Sequence, residues 1–241
     1  MAIRDQERVL DYFLPVAREN EIEKADFIRK TYWHVALAVL GFVAVEALFL
    51  NTPFILSIGL KMAQGWTWLL VLGGFMFVTN MATRWAHTST NRNQQYLALG
   101  LYVVAEAFIF IPLIYIAIAS TGDFSLINQA AVMTLTLFIA LSAVVILTRK
   151  DFSFLRSIIT VGSFIAIGLV VAGMLFGFTL GLWFSVAMVA LAAGSILYQT
   201  SNMVHEYHKE QYVAASMGLF ASLMLLFWYI LSILLRLSSN N

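Results

Sequence analysis

Two carboxylic acids lie inside apolar stretches of the chain. They are Glu46, in Val43-Ala-Val-Glu46-Ala-Leu-Phe49, and Glu106, in Val103-Val-Ala-Glu106-Ala-Phe-Ile109. A carboxylate within a membrane span is costly, so it usually faces the bundle interior and marks a pathway or a pair. Such a pair could titrate protons or bind a cation. The structural alternative is a protonated glutamic acid hydrogen-bonded to a neighbouring helix. At 1.5 Å per residue Glu106 falls roughly 15 Å along its helix from Tyr96, near mid-membrane, and both readings stand for it. Glu46 falls roughly 21 Å from Tyr32, within snorkelling reach of the far interface, and the structural reading is preferred there. A proline follows each glutamate, Pro53 and Pro112 respectively. The echo fits repeated architecture, although chance similarity is the commoner origin in apolar sequence.

Arg84 closes the second apolar run, with Asn80 one turn earlier. A snorkelling arginine is the preferred reading; pairing with a polar group at the mouth of a pathway is the sharper one. In His205-Glu206-Tyr207-His208 two histidines share a helical face, but a metal site needs further ligands, so a solvated loop is expected. No Ser/His/Asp arrangement, glycine-rich phosphate loop or zinc-protease motif is visible, so no enzyme activity, metal or cofactor is expected. The chain has no cysteine, which excludes disulfides and thiolate sites.

The elements that must position these residues are membrane helices. Hydrophobic residues make up 61% of the 241 and charged residues only 11%, where a soluble domain carries about 25%. A net charge of +1 gives no basic surface for nucleic acid. Neither a signal peptide nor a lipidation motif is apparent in the charge-rich start. Seven apolar runs suit spans of about 20 residues: 32–50, 66–84, 96–118, 128–148, 155–176, 180–200 and 211–235. The organisation expected is a tail over 1–30, read as an interfacial helix or a flexible segment, a seven-helix domain over 31–236 and a short tail over 237–241. Turns are expected at Asn51-Thr52-Pro53, Thr121-Gly122-Asp123 and Phe176-Gly177-Phe178. The last run is apolar on every side, broken only by Ser216, Gly218, Ser222 and Ser232, as suits a helix with protein on several sides. With the N-terminus in the cytoplasm, all of the 14 basic residues except Lys61 and Arg236 fall inside. That bias predicts a cytoplasmic N-terminus and an external C-terminus.

Between the fourth and fifth runs stands Thr148-Arg149-Lys150-Asp151-Phe152-Ser153-Phe154-Leu155. Arg149, Lys150, Asp151, Ser153 and Leu155 resemble a loop motif of the transmembrane Bax inhibitor motif family. Tyr96 to Pro112, Ser195-Ile-Leu-Tyr198 with Thr200, and Leu219-Phe220 through Phe227 resemble its third, sixth and seventh helices, in order. The resemblance implies an all-α bundle with the seventh helix central and wrapped by the other six. It also implies a bacterial-type inner membrane or a eukaryotic endomembrane. Family members are associated with a pH-sensitive calcium leak and with stress or cell-death control, and some bacterial relatives with a membrane-bound protease. The family's paired aspartates, taken to sense protons and close the pore, are replaced here by Gln199 and Ser222, which could still hydrogen-bond. The function expected is a cation (calcium) leak channel or transporter with altered or absent aspartate gating, its carboxylate supplied by Glu106 with Glu46 or Arg84. The alternative is a non-conducting regulator that partners a membrane protease or another membrane protein in quality control. The partners expected are the lipid bilayer, with calcium or protons as cargo.

Overall fold

The apolar runs fold into helices, and the computed structural model describes residues 15–16, 20–89 and 91–239. In chain order the helices are α1 (Glu21–Leu50), α2 (Pro53–Met62), α3 (Thr67–Thr88), α4 (Arg92–Thr121), α5 (Ser125–Thr148), α6 (Leu155–Phe176), α7 (Leu182–His205) and α8 (Tyr212–Ser238). All but α2 are long and apolar enough to cross a bilayer, which gives seven spans. The protein is an all-α integral membrane protein. Helices suit that solvent because every backbone group is bonded within its own segment.

The first helix starts earlier than its apolar run. Asn20 caps it by accepting a hydrogen bond from the Glu23 amide at 2.9 Å. Three charged turns then precede the lipid-compatible stretch, held by Lys24–Glu21, Arg29–Asp26 and Lys30–Asp26 pairs at 3.3, 2.6 and 2.6 Å. Residues 21–30 therefore belong to α1 and not to a separate tail. The expected interfacial helix or tail over 1–14 and 17–19 lies outside the described residues. The three turns form where expected. Pro53 opens α2, while Gly122 and Gly177 close α4 and α6 at φ of 76° and 74°. The short helix α2 is new: ten residues, apolar but for Ser57 and Lys61 and too few to span, packed against α1, α3 and α4.

The seventh span, α8, touches α1, α3, α4, α5 and α7. The expectation that all six other spans wrap it needs correction, because the main partner of α6 is α7. In α6 only Ala166 and Gly173 are buried, and its Phe164 and Phe176 project outward at 72% and 80% exposure. Such faces cost nothing in lipid, whose tails are as apolar as the core. The centre is also shared. Half of the most apolar window of both α4 and α8 is buried, against 11–28% for the other spans. Aromatic rings tie the two helices together: Phe110 stacks on Phe227 at 5.7 Å and meets Trp228 edge-on at 4.9 Å.

One end of the bundle carries the start of α1 and the α3–α4, α5–α6 and α7–α8 connections. Cross-links between loops and helices hold this end together. Arg92 pairs with Glu210 and lies 4.5 Å from the Tyr212 ring, and Arg149 reaches Glu21 at 3.0 and 3.4 Å. The α7–α8 connection is not the solvated loop expected. Tyr207 is buried, its ring lies 5.5 Å from His87, and its carbonyl accepts from the Val16 amide at 2.9 Å.

Candidate functional site

The loop motif is an architectural device at that tied end. Arg149 ends α5 in the left-handed region at φ 53°, where its amide still donates to Val145. Asp151 accepts from the Ser153 amide at 2.8 Å, the Ser153 hydroxyl at 3.1 Å and the Ser201 hydroxyl of α7 at 3.3 Å. The Phe152 amide donates to the same Ser201 oxygen at 2.9 Å. These contacts dock the start of α6 onto α7. The Ser153 amide first, then the two hydroxyls, hold the Asp151 carboxyl below its ordinary range. Lys150 is exposed and Leu155 half-buried, and neither points to a ligand.

Glu106 and Glu46 do not face one another. Glu106 lines a cavity of about 940 Å³ between α3, α4, α6, α7 and α8, together with Ser185, Ser195, Gln199 and Ser222. Glu46 lines a second cavity of about 520 Å³ between α1, α4, α5 and α8. Met224 of the central helix contributes to both walls. The sequence echo thus puts two carboxyls on adjacent helices but into separate spaces, because each helix turns its glutamate to a different flank of α8.

The positions that replace the family's aspartates both line the Glu106 cavity, yet they are not bonded to each other. The Ser222 hydroxyl pairs with Ser195 at 2.8 Å and donates to the Gly218 carbonyl at 3.0 Å. Gln199 packs its amide on Gly218, so closely that a Cβ there would sit 2.8 Å from its Oε1. Ser195, which enters the sequence reading only as the start of the sixth-helix match, is therefore a site residue that the reading does not single out. Its signal was present, four residues before Gln199 and hence on the same helical face.

Glu106 is buried and makes no hydrogen bond or ion pair with the other described residues. Its carboxyl is therefore offered to the cavity. From Ser222 the cavity follows α8 to Arg236 at the end of the bundle away from the loop motif, roughly 21 Å on at 1.5 Å per residue. Arg84 is exposed and lies outside this cavity, in a groove of about 450 Å³ with Thr79, Asn80 and Thr83. Tyr102 lines both the groove and the cavity, one turn before Glu106. Tyr102 thus stands between the Arg84 groove and the Glu106 cavity, a wall of each. Tyr102 carried no sequence signal of its own, since a lone tyrosine in an apolar run reads as packing.

Comparison with known proteins bears on this arrangement. The family model described as "Inhibitor of apoptosis-promoting Bax1" matches residues 24–240. An uncharacterized protein of Pseudomonas aeruginosa is 29% identical over 227 residues, covering 92% of this chain and 94% of the relative. The modulator of FtsH protease YccA of Escherichia coli is 30% identical over 210 residues, 86% of this chain and 88% of its own. In another strain of that species the matching protein is named as an inner membrane protein. The Golgi anti-apoptotic protein of vaccinia virus is 25% identical over 229 residues, 93% of this chain and 91% of its own.

Proposed function

Because the chain belongs to the Bax inhibitor family, we propose that it is a membrane leak pathway for cations, calcium among them, with Glu106 as the carboxylate along the route. The observation that carries this reading is the meeting of the Arg84 groove and the Glu106 cavity at Tyr102. A leak needs a site that attracts a cation weakly enough to release it. One carboxylate with neutral oxygens of Ser195, Gln199, Ser222 and Tyr102 on the same walls suits that need better than a charged cage would. The Ser195–Ser222 bond and the Gln199 contact on Gly218 hold α7 against α8 without a titrating group, so gating by an aspartate pair is replaced or absent. The N-terminus lies in the cytoplasm and the C-terminus outside, so the cavity beside Arg236 opens outward. A bacterial inner membrane suits the relatives' setting.

A second reading has its own support. The Escherichia coli relative is named a modulator of a membrane protease, and the two neutral positions suit a bundle that stays shut. On that reading the chain regulates or partners such a protease and conducts nothing. Calcium flux into proteoliposomes between about pH 6 and 8, compared with the Glu106→Gln variant, separates the two. The leak reading expects flux that exceeds empty vesicles and collapses in the variant. Absence of flux at every pH removes the calcium leak, and a stable protease complex alongside that absence establishes the partner role.

A further inference from the structure

The helices around the Glu106 cavity do not close into a ring. Among the described residues α6 packs on α7 and has no packed interface with α3 or α8. Yet α3 and α6 both line the cavity, α3 with Leu72 and Phe75, α6 with Val170 and Met174. None of these four side chains is buried. A side gap therefore runs from the cavity to the surrounding lipid. Trp68 of α3 stacks on Trp228 of α8 at 6.4 Å, which closes that flank and leaves the opening towards α6.

The cavity has two unlike sides. Ser185, Ser195, Gln199 and Ser222 make the side on α7 and α8 polar, while the side towards lipid is hydrocarbon. At the end of the cavity stands Arg236. Steps of three or four residues along α8, through Leu225, Tyr229 and Ser232, put it on the same helical face as Ser222. It is exposed in the last turn of a spanning helix, the level at which a long cationic side chain meets the headgroups. Its guanidinium has no ion pair or hydrogen bond with the other described residues. The exposed Thr179 hydroxyl on the same rim is likewise unused by them. The unmet groups at this mouth are therefore donors, plus one hydroxyl that can serve either way.

We propose that the gap between α3 and α6 holds a phospholipid, its phosphate on Arg236 and one acyl chain along the apolar side of the cavity. Phosphate oxygens are acceptors, and a guanidinium fork binds two of them at once. The face of α8 from Arg236 to Ser222 runs roughly 21 Å at 1.5 Å per residue. A chain reaching from the headgroups to mid-bilayer covers about 15 Å, half of the hydrocarbon thickness, and so fits within it. A diacylglycerol fills the gap but leaves the arginine unanswered, and a free phosphate answers the arginine but leaves the gap open. The inference uses the cavity described above but not ion conduction, so it stands or falls separately from the leak reading.

The test is photolabelling of the full-length protein in nonionic detergent, with a phosphatidylglycerol that carries a diazirine midway along one chain and adducts mapped by mass spectrometry. Saturable labelling among Leu72, Phe75, Val170 and Met174 is expected. Unlabelled phosphatidylglycerol should displace it, and neither a chain-matched diacylglycerol nor inorganic phosphate should. Arg236→Gln is expected to weaken the binding by about tenfold or more, the worth of a charge-assisted hydrogen bond. Val170→Trp, which fills the gap from α6 and leaves Arg236 in place, is expected to abolish it, so the outcome does not hang on one variant folding. Labelling confined to outward side chains such as Phe77 and Phe164, at 71% and 72% exposure, means annular lipid only and overturns the proposal. So does displacement by diacylglycerol or phosphate, or binding unchanged in either folded variant.

Discussion

Asp151 shows how much one residue in a motif can do without touching a ligand. It gathers the Ser153 amide, the Ser153 hydroxyl and the Ser201 hydroxyl, and the last of these also receives the Phe152 amide. Those bonds favour the ionised form, so the folded carboxyl titrates below the unfolded one. Its contribution is then fully present above the ordinary aspartate value of about 3.9 and is lost as pH falls through the lower folded value. Hydrogen exchange at the Phe152 amide should therefore stay protected from neutrality down to about pH 4 and lose protection only below it. Loss of protection near neutrality would show that the Asp151–Ser201 contact does not hold the loop. Sequence made the motif visible but not its role, since the partner Ser201 is fifty residues away. Glu106 was legible for a simpler reason: a carboxyl in an apolar run stands out without any knowledge of packing. Tyr102 was not, because its part depends on which way α4 is turned, whereas the spacing of Ser195 from Gln199 put it on a face that could be read.

Helices follow from apolar length, and so the spans were legible in number and nearly in extent. The misses have physical causes. The charged turns of α1 look like a tail in a hydropathy reading, yet Asn20 and the ion pairs among residues 21–30 suit a helix that emerges into the headgroup region. The ten residues of α2 are mostly apolar but too few for a span, so they merge into a connection. A glycine secures α2 in place. A Cβ on Gly59 would meet the Ile111 side chain at 2.7 to 3.0 Å. Ile111 is fully buried and β-branched, so it cannot swing aside. Gly59→Ala should therefore destabilise the protein by about 1–3 kcal/mol through overpacking, read as a lower thermal midpoint in nanodiscs. Gly218→Ala should cost clearly less, because its clash is with the movable end of Gln199. Equal midpoints for Gly59→Ala and the native protein would mean that α2 is not seated on α4 as described.

At the scale of the molecule, two helices rather than one form the centre, and the two glutamates take different flanks of α8. Sequence can supply the sidedness of such a bundle but not the rotation of its helices, which packing sets. The distribution of basic residues predicts that the loop-motif end faces the cytoplasm. The absence of native cysteine makes this directly measurable. A single cysteine at Lys150 should react with an impermeant maleimide only after intact cells are opened, and one at Asp123 should react before. The reverse pattern would invert the topology. The most direct test of the leak pathway also uses the cysteine-free background. Ser222→Cys places a thiol on the Glu106 cavity wall, beside Ser195. A charged methanethiosulfonate reagent should block calcium flux through this variant in proteoliposomes and leave the native protein untouched. Undiminished flux after complete modification, established by mass spectrometry, would contradict a route through the Glu106 cavity.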